Sequence, residues 1–365
     1  MKGVLQPADM LARLGGDEFA IVVTSAKSRS LLEALASRLI DAVAQSYEID
    51  GHRIRSSISI GIAVGPRDGA NAEDLLMAAD LALYAVKASA RGTFQFYQQS
   101  MNEGINDRRQ VEMDLREAIE KNELQLHYQP VLDLRSNTIT GFEALARWRH
   151  PIKGMVPPAV FIPVAEDTGL IIALGTWALR QACRTAATWP HHLKVAVNLS
   201  PVQFSGPDLY NTVKSALAET GLAPQRLELE ITERLFMEDS EKTLSTLHRL
   251  KQLGVRIAMD DFGTGYSSLS YLRSFPYDMI KVDRAFVSDL AAGTEHVVIV
   301  QAVVSIARAL GMTTTAEGVE TEAQKEYLAA LGCDQAQGYL FGAPVPVELV
   351  PDIIAAWSAE ATLAA

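Results

Sequence analysis

The sequence has few of the residues that support disulfide frameworks or zinc sites. Its 365 residues include only two cysteines, Cys183 and Cys333, which lie far apart without a CxxC motif or a nearby histidine. We therefore expect neither a disulfide framework nor a zinc site. Two isolated thiols are typical of a protein in a reducing cytoplasm.

Positive charge and long apolar runs are also scarce. The chain has 33 Lys and Arg residues against 44 Asp and Glu residues, which gives a net charge of −11. This balance argues against broad binding to nucleic-acid polymers or anionic membranes. The most apolar window, from His296 to Leu310, is shorter than a membrane span and is interrupted by polar residues, so we expect a packed helix. Without a recognisable signal peptide, the sequence predicts a soluble cytoplasmic protein.

A regular alternation of strand-like and helical segments begins at Leu124. LQLHYQPVLDL and TITGFEALARW, separated by the polar RSN, predict an antiparallel hairpin. The strands predicted after it are LKVAVN, RLELEIT, VRIAMDD, MIKVDR, MTTTAEG and QAQGYLF, with amphipathic helices between them. Such repeated units are typical of a parallel barrel or of a doubly wound sheet.

The alternation of side chains within these strands favours the barrel. In LELEIT the two leucines and the isoleucine share one face, while Glu228 and Glu230 share the other. MIKVDR likewise places Lys281 and Asp283 opposite its aliphatic residues. An apolar face for covering helices, opposite a small and polar face, is the pattern of a barrel lumen. A doubly wound sheet would instead need two apolar faces.

Acidic and amide residues recur where the predicted strands end. They are Glu143, Asn198, Glu230, Glu233, Asp260, Asp261 and Glu317, joined by Lys281 and Asp283. The strands of a parallel barrel end at one rim, so we expect these groups to meet there. Taken singly, a strand-end Asp or Glu is more often a helix cap or a surface group, and a lone lysine is more often a surface residue. Burying so many carboxylates together is prohibitive without cations among them, and oxygen donors without histidine favour Mg²⁺ or Mn²⁺.

This set of residues suits phosphoryl chemistry. The adjacent carboxylates of Asp260 and Asp261 can serve two ions, which would clamp the oxygens of an in-line displacement and activate a bridging water. Lys281 would supply positive charge for a phosphate or a developing hydroxide. Glu317 would orient the water or act as a base. The glycine-rich FGTGYSS that follows the aspartates would let backbone approach a ligand and act as a gate.

The segment from about Val111 to Ile354 resembles an EAL domain, a cyclic di-GMP-specific phosphodiesterase. The motifs that carry the resemblance are YQP, EALARW, NLSPVQF, LEITE, DDFGTGYSSLSYL, IKVDRAFV, AEGVE and QGYLFGAP. The resemblance implies an α/β fold, a TIM-like (β/α)8 barrel whose first strand runs antiparallel. It also implies hydrolysis of cyclic di-GMP to linear pGpG, and a homodimer formed around the DDFGTGYSSLSYL segment.

The same resemblance implies roles for individual residues. The ligands of two Mg²⁺ or Mn²⁺ ions would be Glu143, Asn198, Glu230, Asp260, Asp261 and Glu317. Lys281 and Asp283 would position the attacking water, Glu317 would act as general base, and Glu233 would steady the glycine-rich loop. The residues that would bind or support the dinucleotide are Gln129, Leu145, Arg147, Glu320 and Gln337.

Two alternatives to an enzyme remain open. One is a receptor that binds cyclic di-GMP without hydrolysing it, although such receptors usually lose metal ligands and this chain carries every active-type residue. The other is a scaffold whose barrel mediates protein contacts. Stabilisation of the chain by the dinucleotide would exclude the scaffold, since a scaffold should not bind that ligand tightly.

The beginning of the chain resembles a diguanylate cyclase, or GGDEF, domain through RLGGDEF, SISIGIA and ADLALYAVK. Gly15 and Gly16 would form a tight hairpin turn, with Asp17 and Glu18 as metal ligand and substrate contact. The family normally has a metal-binding strand and a guanine-reading helix before this motif, and we expect the chain to begin after both. VKASARG also departs from the family's AKxxGRN, so we expect no cyclase activity.

These patterns together predict the domain organisation. We expect a truncated GGDEF-like domain over residues 1–100, a linker helix over 101–122 and an EAL barrel over 123–360. Within the first of these, FAIVVTS predicts a strand, SLLEALASRLIDAVAQSY and AEDLLMAADLALYAVKAS predict helices, and EIDGHRIRSSISIGIAV predicts a hairpin-like pair of strands.

Overall fold

The structure is a computed structural model. It describes residues 2–24, 28–49, 52–89, 92–121, 123–206, 208–233, 235, 240–262, 275–288, 290 and 294–363. The chain divides into two compact units, Met1–Gln110 and Val111–Ala365. The division falls within helix α3 (Ser100–Lys121), inside the segment that the sequence predicts to be a linker helix.

The first unit is built from short strand pairs and helices. β1 (Met10–Gly15) and β2 (Glu18–Val22) form an antiparallel hairpin. Its other elements are α1 (Arg29–Val43), β3 (Ser46–Ile49), β4 (His52–Arg55), β5 (Ile60–Ile62), α2 (Ala72–Ser89) and β6 (Phe94–Phe96). The predicted strand and both predicted helices are confirmed. The predicted hairpin consists of β3 and β4, whereas β5 pairs in parallel with β6.

The second unit contains a closed barrel of eight described strands. They are β7 (Leu124–Asp133), β8 (Thr138–His150), β10 (Lys194–Leu199), β11 (Leu227–Thr232), β12 (Arg256–Phe262), β13 (Met279–Val282), β14 (Thr313–Ala316) and β15 (Gln335–Gln337). β7 pairs antiparallel with both β8 and β15, which closes the barrel. β9 (Gly154–Val156) extends β8, and β16 (Val345–Pro346) pairs with β7. The predicted TIM-like barrel with an antiparallel first strand is confirmed, and the doubly wound alternative is excluded.

Helices surround the barrel. They are α4 (Pro158–Thr168), α5 (Ile171–Ala186), α6 (Pro201–Ser205), α7 (Leu209–Thr220), α8 (Ser240–Leu253), α9 (Arg284–Ser288), α10 (Thr294–Ala309), α11 (Glu322–Leu331) and α12 (Val350–Leu363). The apolar window predicted as a packed helix corresponds to α10. In the described part of the chain, no helix has the length and apolarity needed to cross a membrane.

The apolar strand faces and the helices form one large core. Leu227 and Leu229 of β11 are buried and belong to the same cluster as Val213, Leu247 and Val300 of the surrounding helices. Full burial of each such side chain stabilises the fold by about 1.5–3 kcal/mol. Because successive side chains of a strand point to opposite faces, this packing turns the intervening polar residues into the lumen.

A second, smaller core joins the end of α3 to the barrel. Val111, Leu115 and Ala118 pack in one buried cluster with Trp148 of β8 and Phe161 of α4. The rings of Trp148 and Phe161 meet edge to face, with centroids 5.8 Å apart. The carboxyl-terminal part of α3 therefore belongs physically to the barrel unit, and it packs against the strand that carries Glu143.

Candidate active site

Four parallel strands deliver polar side chains to the carboxyl-terminal end of the barrel. β8 carries Glu143, β10 carries Asn198, β11 carries Glu230 and β12 carries Asp260. The strand register places Asn198 opposite Glu230, and Thr232 opposite Asp260. Each of these residues is reached by the two-residue alternation of its own strand, so the barrel brings together groups that are far apart in the sequence.

Lys281 of β13 lies at the centre of this group. Its Nζ is 2.6 Å from Glu317 Oε1, 2.8 Å from Glu230 Oε2, 3.5 Å from Asp260 Oδ1 and 3.7 Å from Glu143 Oε2. The lysine side chain is only 2% exposed. Four carboxylates, three on strands and one directly after β14, thus surround one buried ammonium group, and we call these five residues the carboxylate centre.

The carboxylate centre carries more negative charge than one ammonium neutralises. Burial, and then the charge of Glu143, raises the pKa of Glu230 well above its ordinary value. Burial also raises the pKa of Glu317 to about 8, against the opposing attraction of Lys281. The carboxylates in turn outweigh burial and raise the pKa of Lys281. These carboxyl groups retain their protons because too little positive charge lies nearby. Added cations would therefore ionise them.

Glu143 differs because hydrogen bonds fix both of its oxygens. Asn198 Nδ2 donates to Oε1 at 2.6 Å, and Gln337 Nε2 donates to Oε2 at 2.6 Å. Although burial disfavours its charge, Lys281 and then these two donors hold the pKa of Glu143 below its ordinary value. Gln337 Nε2 also donates to Gln129 Oε1 at 2.9 Å. Gln337, predicted to serve the substrate, therefore orients the Glu143 carboxylate in this structure, and Gln129, predicted to do the same, holds Gln337.

A lumen pair at the opposite end of the barrel provides an internal comparison. Glu228 shares the polar face of β11 with Glu230, but its Oε2 lies 3.0 Å from Arg256 Nε. In this pair one cation balances one anion. The carboxylate centre has no such balance, and the buried Glu230 Oε2 makes no hydrogen bond to the described residues despite its contact with Lys281. The excess negative charge of the carboxylate centre is therefore not shared by this pair.

The donor set fits hard divalent cations. Every candidate ligand is a carboxylate or amide oxygen, which Mg²⁺ and Mn²⁺ prefer, and the surplus charge requires a positive partner. Within the described ranges, no group of three or more His, Cys, Asp or Glu side chains already has the spacing of a metal site. In this arrangement the Lys281 ammonium lies among the carboxylates and provides their counter-charge.

Asp261 follows Asp260 on β12, and Asp283 lies two residues after Lys281. Asp261 adopts a positive φ of 56°, where the pairing of β12 with β13 shifts register. A non-glycine residue is uncommon in this conformation, and such bulges redirect side chains near active sites. Asp283 follows β13 directly and accepts a hydrogen bond from the Ala285 amide at 2.8 Å, at the start of α9.

Leu145 and Arg147 continue the face of β8 that carries Glu143. Both side chains are partly buried. β8 pairs with β10 over Gly141–Ala144, so the residues that follow extend beyond the barrel rim. Burial lowers the pKa of Arg147, whose guanidinium donates to the Ala146 carbonyl at 2.9 Å. These two residues therefore continue the Glu143 face of β8 beyond its pairing with β10.

Two other predicted site residues, Glu320 and Glu233, are not members of the carboxylate centre. Glu320 is exposed, and its Oε1 contacts Arg284 Nη2 at 2.7 Å on the surface. Glu233 follows β11 and is partly buried. The pKa of Tyr277 is raised, mainly by burial and secondly by the negative charge of Glu233. The glycine-rich loop that Glu233 was predicted to steady, and most of the predicted dimer segment, fall within residues 263–274, outside the described residues.

The GGDEF motif lies at the tip of the β1–β2 hairpin in the first unit. Gly15 ends β1, and Gly16 has a positive φ of 50° in the turn, where glycine is unstrained. The guanidinium of Arg13 donates to the Gly16 carbonyl at 2.6 and 3.0 Å. Asp17 and Glu18 are exposed. The motif therefore forms the predicted turn and displays its acidic residues to solvent.

Sequence reasoning missed one supporting contact of the site. The carbonyl of Gly342 accepts a hydrogen bond from Gln129 Nε2 at 3.1 Å, across 213 positions in the chain. A main-chain carbonyl leaves no signature in the side-chain pattern. Only the closing contact of β16 with β7, which the sequence did not predict, brings the two together.

Comparison with known families agrees with this architecture. The EAL domain family matches residues 112–344, and the family described as "Diguanylate cyclase, GGDEF domain" matches residues 1–93. An eight-stranded barrel with an antiparallel first strand and an acidic carboxyl-terminal rim is the class of structure expected for the first of these. The chain belongs to the EAL domain family and carries a GGDEF segment before the EAL domain.

Known relatives cover nearly the whole chain. An uncharacterised protein, y4lL of Sinorhizobium fredii, is 47% identical over 95% of this chain and 42% of its own length. The bifunctional diguanylate cyclase/cyclic di-GMP phosphodiesterase MucR of Pseudomonas aeruginosa is 43% identical over 93% of this chain and 50% of its own. The chain thus spans about half the length of the curated relatives it matches.

The barrel also resembles a solved structure. The MucR phosphodiesterase in complex with c-di-GMP superposes with a TM-score of 0.64 and 44% sequence identity. The match covers 66% of this chain and 99% of that structure. The similarity therefore spans one complete phosphodiesterase domain and corresponds in extent to the second unit.

Proposed function

We propose that this chain is a metal-dependent phosphodiesterase that hydrolyses cyclic di-GMP to linear pGpG. The observation that carries the proposal is the buried carboxylate centre, in which four carboxylates share the single ammonium of Lys281. The name of MucR, and the dinucleotide in the related complex, support cyclic di-GMP as the substrate class.

In this proposal the metal ligands are Glu143, Asn198, Glu230, Asp260, Asp261 and Glu317, which would hold two Mg²⁺ or Mn²⁺ ions. When bound, the ions supply the positive charge that activates water and stabilises the phosphoryl oxygens. Their charge would also ionise Glu230 and Glu317, whose pKa values burial raises in the protein alone.

The protein residues position the attacking water and accept its proton. The Lys281 ammonium and Asp283 orient the attacking water, and Glu317 in its ionised form accepts the proton that the water loses. Glu317 Oε1 lies 2.6 Å from Lys281 Nζ, so a negative charge that forms beside it remains next to a cation. Asn198 and Gln337 keep the Glu143 carboxylate fixed throughout, which avoids reorganisation during the reaction.

The substrate would approach along the extended face of β8. Leu145 would pack against a base, and Arg147, partly desolvated by burial, would contact the phosphate or base edges of the dinucleotide. Gln129 and Gln337 would support this surface from the lumen. Glu320 would act more remotely, through its surface pair with Arg284.

The remaining predictions extend the proposal to the whole molecule. We propose a homodimer, a cytoplasmic location and the domain boundaries 1–100, 101–122 and 123–360. The first unit would have no cyclase activity. Light scattering that shows only monomers at assay concentration would contradict the dimer.

Parallel measurements of turnover and binding test the proposed function. Glu143→Ala should abolish pGpG formation, whereas Glu322→Gln, at an exposed position of α11, should leave it unchanged. Anion-exchange chromatography gives the turnover, and calorimetry in EDTA gives binding of cyclic di-GMP. Binding by the wild-type chain without metal-dependent turnover would indicate the receptor alternative. Absence of both would refute the assignment altogether.

A further inference from the structure

Beyond the carboxylate centre, β7 and β8 continue as a two-stranded wall whose registers are aligned. Directly opposed residues of antiparallel strands project from the same face. The pairs along this face, from the lumen outward, are Gln129 with Glu143, His127 with Leu145, and Gln125 with Arg147. His127 therefore shares a face with the residues proposed to contact the substrate, although it has no assigned role.

The His127 ring is held by the main chain that crosses beside β7. Its Nδ1 lies 3.2 Å from the Pro344 carbonyl oxygen. Two residues further along β7, Gln129 donates to the carbonyl of Gly342 at 3.1 Å. Alternate side chains of one strand are thus fixed by alternate carbonyls of the next segment, which limits their rotamers and orients them in advance of ligand binding.

This contact determines the tautomer of the imidazole. A carbonyl oxygen only accepts hydrogen bonds, so Nδ1 must carry the proton, and in the neutral ring Nε2 then presents a lone pair. Burial, reinforced by the charge of Arg147 and opposed by Pro344 and Glu348, lowers the pKa of His127 below its ordinary value. The neutral ring is therefore the main form near pH 7.

The acceptor on Nε2 remains available for a ligand. Among the residues that the structure describes, none donates a hydrogen bond to Nε2, and the ring is partly exposed. A fixed acceptor on a surface that also carries the cationic Arg147 and the apolar Leu145 provides three kinds of contact. They match the donor edge, the anionic phosphates and the flat face of a purine nucleotide.

We infer that His127 is a specificity-determining residue whose Nε2 accepts a hydrogen bond from an N–H group of a guanine base. This inference rests on the proposed function, because it assumes that a cyclic purine dinucleotide binds along this wall. Guanine presents adjacent donors at its ring N1 and 2-amino groups, whereas adenine has an acceptor at ring N1. An acceptor at His127 therefore favours guanine over adenine, since the wrong base would leave two acceptors facing each other.

Two substitutions separate this role from a purely structural one. Asparagine at position 127 reproduces the donor at Nδ1 and can keep the bond to Pro344, but it has no group at the position of Nε2. Glutamine places its amide near the position of Nε2 and can present an acceptor there, but it loses the donor to Pro344. The two variants thus remove the two functions of the ring one at a time.

The assay measures kcat and KM for cyclic di-GMP and cyclic di-AMP with Mn²⁺. His127→Asn should raise KM for cyclic di-GMP about three- to tenfold at nearly unchanged kcat, the value of one hydrogen bond. It should reduce the preference for cyclic di-GMP over cyclic di-AMP by the same factor, and His127→Gln should restore most of both. An unchanged KM in His127→Asn, or an equal rise in both variants, would overturn the inference.

A second measurement does not depend on turnover. In EDTA, ¹⁵N NMR of the imidazole should show a change at Nε2, and little at Nδ1, when cyclic di-GMP is added. An unchanged Nε2 signal at saturating dinucleotide would also overturn the inference. A wild-type chain that neither hydrolyses nor binds cyclic di-GMP would instead refute the proposed function, so the two failures are distinguishable.

Discussion

Replacement of Lys281 by methionine is the most informative test of the carboxylate centre. The Lys281 side chain is 2% exposed, and its ammonium lies within 4 Å of four carboxylates. Methionine has a similar length but no charge, so the substitution leaves buried anions without their only close cation among the described residues. Removing one partner from a buried ion pair typically destabilises a protein by about 3–5 kcal/mol.

The size of this effect should depend on pH. Glu143, whose pKa Lys281 helps to keep low, is charged near neutral pH and would lose its counter-charge in the variant. At pH 5 more of the centre is protonated, and neutral carboxyl groups neither repel one another nor need the ammonium. We therefore expect a loss of about 3–5 kcal/mol at pH 8 and a clearly smaller loss at pH 5.

Thermal unfolding followed by circular dichroism in EDTA measures both values. For a unit of this size, the loss at pH 8 corresponds to a decrease in Tm on the order of 10 °C. Lys242→Met, at an exposed position of α8, is the control for loss of a lysine charge and should change Tm by no more than a few degrees. If Lys281→Met unfolds at the wild-type temperature at both pH values, the electrostatic account of the centre is wrong.

Three further predictions follow from the same geometry. In EDTA the free energy of unfolding should decrease from pH 5 to pH 8.5, because burial raises the pKa of Glu317 from 4.5 to about 8 and the native state retains a proton that the unfolded chain releases. Millimolar Mn²⁺ should remove this decrease, and a flat EDTA profile from chemical denaturation would contradict it. Gly338→Ala should destabilise the barrel by about 1–3 kcal/mol, because its Cβ would clash with main-chain atoms of Val319; a wild-type urea midpoint would count against this packing. Gln337→Leu removes one of the two donors to Glu143 and should lower kcat tenfold or more, with a decrease in Tm of a few degrees because a buried carboxylate oxygen loses its donor; unchanged kcat would contradict a role for this donor in the reaction.

Much of the barrel follows from local patterns in the sequence. Alternation in LELEIT and MIKVDR identified the lumen face correctly, because the packed helices bury the opposite faces. The same alternation predicted that strand-end carboxylates would meet, and the structure brings Glu143, Glu230, Asp260 and Glu317 around Lys281. These features depend on one strand at a time, so a single sequence reveals them.

Other features depend on contacts between distant segments. Nothing local in the sequence indicates that Gly342 and Pro344 would hold Gln129 and His127, because that contact forms only when β16 closes against β7. The positive φ of Asp261 is likewise set by the shift in pairing between β12 and β13. Such features arise from tertiary packing, and periodicity in the sequence carries no record of them.

The central claim is that the carboxylate centre is a metal-dependent catalytic site for cyclic di-GMP. Its most direct test is the rate of pGpG formation by the purified chain, first in EDTA and then after Mn²⁺ or Mg²⁺ is added back. For the wild-type chain we predict no product in EDTA and full recovery of the rate when the metal is added back. For Glu143→Ala we predict no product under either condition. Hydrolysis that persists in EDTA, or that survives the loss of Glu143, would contradict it.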